Sequence, residues 1–403
     1  SYLSTPAGLG AAPKSGNDPN SRTGQIRIES SRRLEQLLDK FFSPATQSEP
    51  TEMPVFTEFG EAYSRLLKTG QVQKAHEVLF ALQDRLSAPY AFVRQKSLDL
   101  LVLIVNDLNL LTDLSVLEAA VQSLDIRLRE HKESYEYSEL IWCVVRKCLA
   151  GKRYSLFSRL TSALAVRRQL NDGVTTYDSM TIKKAFENIN QHEVISALVD
   201  DLIKVRAEDV AHIKSILINI GSEEIALALS HIISHPLRQV RQLSLKILAE
   251  LGKNSLKVFS DMLVDDTWFD RDKERHELPD ARWYVIRNAI FVLGSLRDTG
   301  GVSALRLRIN DQDIRIRREI ISSLEKIGGE DSIDLLIVMA EDRDREIREA
   351  ALGSLGMVGT PEYVPLVIDL TKRNPVDSIR TVATLGKIGG SDERAFLGSL
   401  LEN

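Results

Sequence analysis

Apolar residues recur at helical spacing along nearly the whole chain, and strand-like alternation is almost absent. Leu34, Leu37, Leu38 and Phe41 share one helix face, as do Ala75, Val78, Leu79, Leu82 and Leu86, and again Leu98, Leu101, Val102, Val105 and Leu108. The same spacing predicts helices over about 114–130, 135–149, 154–168, 177–189 and 194–204. Residues 1–26 lack such periodicity and are rich in Gly, Ser, Pro, Asn and Thr, so a flexible tail or linker is expected there. Residues 27–205 read as irregular helical hairpins with no countable period, and 43–54 as a loop between them.

Beyond about residue 206 the pattern becomes periodic. It is clearest at Ile347-Arg348-Glu349-Ala350-Ala351-Leu352, followed by Leu355-Gly356 and Val358-Gly359. With Arg348 as a register mark, the equivalent positions are Val210, Arg241, Ile286, Arg317 and Ser378, at intervals of 31, 45, 31, 31 and 30 residues. Seven residues after each mark stands a leucine: Leu217, Leu248, Leu293, Leu324, Leu355 and Leu385. Eleven after it stand Gly221, Gly252, Gly328, Gly359 and Gly389, with Arg297 as the exception. Each apolar stripe predicts a core-facing helix, and each Gly a left-handed helix end. A second helix of about a dozen residues is expected after each Gly. Thr360-Pro361 shows the pattern of its start, and Asp280, Asp311 and Asp342 stand where first-helix N-caps are expected. One such pair cannot bury both its faces, so neighbouring pairs must stack. The predicted fold is all-α: a right-handed α-solenoid of antiparallel helix pairs, with six units over 206–403.

These residues resemble the HEAT-repeat family, in its short bacterial, phycobilisome-lyase-like form. The resemblance rests on Ile-Arg-x-x-Ala-x-x-x-Leu-Gly at Ile347–Gly356, with weaker copies at Val240-Arg241 and Ile316-Arg317. It implies a polar ladder of Asp and Arg between repeats, which makes Arg241, Arg317 and Arg348 structural. It also implies that the mark-bearing helices line a concave side. Ile286 departs from the Arg slot, with Arg287 one residue late. Ser378 departs too, as expected of a degenerate terminal repeat that caps the array.

Composition narrows the functions. Of 403 residues, 43% are hydrophobic and 27% charged, an ordinary globular balance. The net charge of -5 and a pI near 5.9 argue against a dedicated nucleic-acid binder. The only cysteines, Cys143 and Cys148, point apart on one predicted helix and read as buried thiols in a reducing compartment. No apolar run reaches membrane-spanning length and no secretory signal is read at the start, so a cytoplasmic location is expected.

Two places are candidate partner contacts. One is an insertion at about 265–279 that carries Trp268 and Phe269 among charges and leads into Arg282-Trp283-Tyr284. It reads either as an edge clamp or as a loop folded back on the solenoid. The other is the non-core face of the mark-bearing helices, with Gln242, Lys246, Arg287, Phe291, Ser295, Arg318 and Ser322, where Phe291 is a candidate anchor. The run Arg306, Arg308, Arg315, Arg317, Arg318 invites a phosphate reading, but Asp311, Asp313 and Glu319 interleave it and favour ion pairs between repeats.

No catalytic, metal or cofactor constellation is found. His231 and His235 lack a third ligand, and Arg275 stands where a calcium loop after Asp270 and Asp272 needs Gly. The di-iron deoxyhypusine hydroxylases place His-Glu pairs at the mark. Here that slot reads Arg348-Glu349, and His76-Glu77, His192-Glu193 and His276-Glu277 share no register. The expected role is a non-catalytic scaffold or adaptor that holds a protein partner along the concave face. A nucleic-acid-binding or repair-type enzyme using the Arg282–Arg318 groove is the alternative, and a lyase-like chaperone for a chromophore or protein substrate the third.

Overall fold

Four-residue turns of apolar spacing without strand alternation leave helices as the only way to satisfy the backbone and bury the Leu and Ile side chains together. In a computed structural model the protein is described over residues 22–42, 53–109, 113–129, 137–170, 177–204, 206–265, 281–373 and 378–389, and singly at 394 and 398. Among these residues the regular structure is α-helix with two short 3₁₀ turns. The first ten helices are α1 (Arg22–Phe42), α2 (Met53–Lys68), α3 (Val72–Arg85), α4 (Ala91–Asp107), α5 (Leu114–Arg129), α6 (Ser138–Ala150), α7 (Tyr154–Leu170), α8 (Tyr177–Ile189), α9 (His192–Lys204) and α10 (Ala207–Ile220). There follow α11 (Glu223–Ser230), α12 (Arg238–Leu251), α13 (Lys253–Val264), α14 (Ala281–Leu296), α15 (Val302–Arg306), α16 (Ile314–Ile327), α17 (Glu330–Met339), α18 (Arg345–Val358), α19 (Val364–Arg373) and α20 (Ser378–Ile388). None of the described helices is long and apolar enough to cross a membrane.

The chain forms two units. The first comprises residues 1–194 and 206–220, the second 195–205 and 221–403. In the first, α2, α4, α6 and α8 lie side by side in one layer and α3, α5, α7 and α10 in the other. In the second, α12, α14, α16, α18 and α20 form one layer, and α11, α13, α15 and α17 lie in succession in the other. Each unit is thus an all-α solenoid of stacked helix pairs. Cys143 and Cys148 are buried and free, and burial pushes the Cys148 thiol up to about 12, which leaves it protonated and inert.

The leucine series supplies buried core in both units, Leu217 in the first and the other five in the second. Leu217, Leu248, Leu293, Leu324, Leu355 and Leu385 are each 0% exposed. The helix ends follow the glycine series in part. Gly221, Gly252, Gly328 and Gly389 have positive φ, whereas Gly359 is extended at φ -68°. Arg297, the exception in sequence, takes a positive φ of 53° all the same, because the chain must reverse there into the next helix. An L-residue is strained in that conformation. Arg297→Gly is expected to raise stability by about 0.5–1 kcal/mol, the relieved backbone strain less the added chain entropy, measured by urea denaturation. No gain, or a loss, would show that the Arg297 side chain stabilises more than its backbone costs.

Two expectations about helix starts are corrected. Asp313 and Asp344, not Asp311 and Asp342, occupy the N-cap positions of α16 and α18. Asp311 and Asp342 stand two residues earlier, where each carboxylate accepts from the backbone N–H of the cap residue, at 2.9 and 2.8 Å. The carboxylates tighten the entering turn instead of capping the helix. Asp280 lies outside the described residues. Second helices are also shorter than a dozen residues where a turn intrudes. Asp298 accepts from Gly300 N–H and opens a 3₁₀ turn, which leaves α15 five residues long. Thr360 likewise precedes a 3₁₀ turn with Pro361 first, and its hydroxyl donates to the Glu362 carboxylate instead of accepting from a helix N–H.

Candidate partner-binding face

The register-mark arginines carry the first piece of chemistry. Arg348 Nη1 donates to the carbonyls six and five residues before it, Asp342 O at 3.0 Å and Arg343 O at 3.3 Å. Arg317 does the same to Asp311 O (2.6 Å) and Gln312 O (3.3 Å), and Arg241 to His235 O (2.7 Å) and Pro236 O (2.8 Å). Each guanidinium thereby ties its helix to the loop that enters it. Arg317 reaches further, to the carboxylates of Asp342 (3.0 Å) and Asp344 in the next repeat, and is itself only 1% exposed. This is the inter-repeat ladder that the resemblance implies, present at Arg317.

Sequence reasoning missed a copy of this device in the first unit. Arg94 Nη1 donates to Ala88 O and Pro89 O, again six and five residues back and both at 2.8 Å. Ser97 Oγ donates to Val93 O at 2.7 Å, as Ser244 Oγ does to Val240 O at 2.9 Å. The sequence carries the parallel: Val93-Arg94-Gln95-Lys96-Ser97-Leu98 matches the pattern of Val240-Arg241-Gln242-Leu243-Ser244-Leu245, each with a Pro five residues before the Arg. No regular period links the two copies, so periodicity alone does not reveal the first.

The candidate contact residues fall mostly on one layer of the second unit. Trp283, Arg287 and Phe291 stand four residues apart on α14 and so share one face, each half-buried. The next helix, α16, covers them with charge. The Arg315 guanidinium lies 3.6 Å from the centroid of the Trp283 ring, and Lys326 Nζ lies 4.5 Å from that of Phe291. Between them Arg287 Nε donates to Glu319 Oε2 at 2.9 Å. Arg318 pairs in turn with Glu346 of α18. Gln242 and Lys246 are exposed on α12 of the same layer. Arg315 also donates to Asp313, and this hydrogen bond holds the Asp313 carboxyl below its ordinary value.

Much of the predicted face is therefore spent on stacking. Arg287, Phe291 and Arg318 bridge neighbouring helices, and the row of cation-covered rings remains half-open to solvent. Of the arginine run, Arg308 donates to Leu263 O, while Arg315, Arg317 and Arg318 each meet a carboxylate. Trp268 and Phe269 lie outside the described residues, as does the side chain of Arg282 in the first turn of α14.

Residues 275–344 and 308–386 match the HEAT-repeat family model. The HEAT repeats so matched include the Arg317 ladder and the row on α14. No curated protein matches the chain in sequence. Among solved structures, an engineered protein is 16% identical, with 94% of each chain covered and a TM-score of 0.25. Kap121p bound to Pho4p and Kap121p bound to Nup53p are each 14% identical over 96% of this chain, with a TM-score of 0.29. The chain spans about half the length of Kap121p.

Proposed function

We propose that this protein is a non-catalytic interaction scaffold and that the α12–α18 layer of its HEAT repeats, on the concave side of the array, holds a protein partner. The observation that carries this reading is the row Trp283, Arg287, Phe291. Large aromatic rings left half-open beside paired charges are the usual anchors of protein interfaces, because they bury much area at little entropic cost. Gln242 and Lys246 extend the surface along α12. The Trp268 insertion is proposed as an edge clamp on the same partner. The short repeat type is the ground for proposing the phycobilisome-lyase-like subtype and a bacterial cytoplasm. A lyase-like role toward a chromophore would show as co-purifying visible absorbance.

The test is affinity capture from the native cell, followed by titration of the captured partner against the double variant Trp283→Ala, Phe291→Ala. Binding is expected to weaken at least about tenfold. Stability should fall by only about 1–2 kcal/mol, since each cation–π contact is partly solvated. An unchanged affinity would remove the row from the binding site. Duplex DNA supplies the contrasting arm. With Arg315, Arg317 and Arg318 already facing carboxylates, little binding is expected at physiological salt. A steep fall of affinity with salt would favour the nucleic-acid reading instead.

A further inference from the structure

Helix α4 carries Asp99, Leu103 and Asp107 four residues apart, so the three follow one another up one side of the helix at steps of about 6 Å. They stand along a cleft of about 830 Å³ that is open to solvent, with Phe56, Gly60 and Ser64 of α2 on the facing wall. Gly60 is buried, and a Cβ there would lie 3.2 Å from Asp107 Oδ2 and 3.4 Å from Leu103 Cδ2. Its missing side chain lets Leu103 and Asp107 lean toward α2 and form the cleft floor. Helix propensity alone would not favour glycine in the middle of α2.

The two carboxylates sit there at a cost that no described cation relieves. Asp99 is half-buried and accepts from Gln95 Nε2 at 2.8 Å, and burial pushes its carboxyl above the ordinary value. Asp107 is the last residue of α4, where the helix dipole is negative and disfavours an anion. Among the described residues neither carboxylate has a cation within ion-pair reach. The cations nearby are engaged or stand elsewhere. Arg65 faces Glu61 at 3.6 Å. Arg146 of α6 donates to Asn106 Oδ1 at 3.3 Å and lies over the Trp142 ring. Lys68 closes α2, about three turns beyond Phe56.

We infer that this cleft binds an extended segment of another protein in which two Lys or Arg side chains stand four residues apart with a large apolar side chain midway. In an extended chain alternate side chains point the same way at steps of about 6.7 Å, close to the spacing of Asp99, Leu103 and Asp107. The two cations meet the two carboxylates, and the apolar side chain rests on Leu103 and Phe56. A single small cation would satisfy one carboxylate and leave the apolar floor wet. The chain supplies no such segment itself. Its only Lys or Arg pairs four apart are Lys253 with Lys257 and Arg271 with Arg275, and the residues midway are Ser255 and Lys273. That selects another protein over a segment of this chain or of a second copy. The cleft lies between two helices already packed side by side, so further helices stacked beyond the unit would leave it open. It does not depend on the Trp283–Phe291 row.

The probe is a fluorescein-labelled peptide, Gly-Ser-Arg-Thr-Leu-Thr-Arg-Ser-Gly, titrated by anisotropy against the whole protein. Saturation is expected below about 100 µM. The double variant Asp99→Asn, Asp107→Asn should weaken binding about tenfold or more, because two charge-assisted contacts are lost. Circular dichroism should show it folded like the parent, since asparagine keeps the shape, still accepts from Gln95 and removes an unpaired charge. A peptide with glutamine for both arginines, and one with serine for the leucine, should each lose a similar factor. The Trp283→Ala, Phe291→Ala variant should bind the peptide as the parent does; a comparable loss there would assign the peptide to the α14 row and overturn the inference. Absence of saturation, or parent-like affinity of the folded Asp99→Asn, Asp107→Asn variant, overturns it as well. So does equal binding of the serine peptide, because charge alone is then read and a small polyamine would serve equally.

Discussion

Arg317→Ala is expected to lower the unfolding free energy of the second unit by about 3–5 kcal/mol. The side chain is buried, donates to Asp311 O and Gln312 O, and faces the carboxylates of Asp342 and Asp344. Its removal leaves the Asp342 carboxylate, only 8% exposed, without its cation, and leaves two carbonyls with one donor fewer. The cost is the stranded charge more than the lost attraction. Arg317→Lys should recover only part of it. An ammonium can meet a carboxylate or the loop carbonyls, but it lacks the planar fork that spans both. Arg317→Met separates the two contributions: it restores packing volume without charge and should fall between Lys and Ala. Urea denaturation followed by circular dichroism gives the values. A loss below about 1 kcal/mol for Arg317→Ala would mean that the ladder is a by-product of stacking and not one of its supports.

Leu324→Ala should cost about 2–5 kcal/mol, through lost burial and the cavity left behind. Leu324 is fully buried in α16, between α14 on one side and α18 on the other. In a stack whose units contact only their neighbours, a defect in the middle uncouples two interfaces, whereas a defect at the end uncouples one. Among the described helices, Leu385→Ala, in α20, is therefore expected to raise amide exchange chiefly in α19 and α20, and Leu324→Ala from α14 through α18. Hydrogen exchange read by mass spectrometry distinguishes these footprints. A uniform rise over both units after either substitution would contradict nearest-neighbour coupling and point to one cooperative globule.

The candidate binding face was legible only in outline. Spacing alone put Arg287 and Phe291 on one side of a helix and excluded the core-facing positions, because helix geometry depends on the chain's own period. It could not show that Lys326 and Arg315 stand over the rings or that Glu319 and Glu346 neutralise Arg287 and Arg318. Those partners come from helices about thirty residues away, and which rotamer meets which is settled by packing. The helix caps show the same limit on a smaller scale. An Asp six residues before the mark is equally suited to a cap or to a preceding turn. Only the path of the loop, drawn in by the mark arginine, makes it the turn.

What the amino-acid order determined by itself was everything periodic: helices, the leucine spine, the mark arginines and the need for each pair to lean on the next. These follow from the pitch of the helix and the cost of wet leucine, which are local properties. Tertiary structure alone decided which charges are consumed within the stack and that Arg297 bears a glycine's conformation. Each of those is a question of what lies across an interface, and neighbours across an interface are chosen by packing the whole array, not by adjacency along the chain.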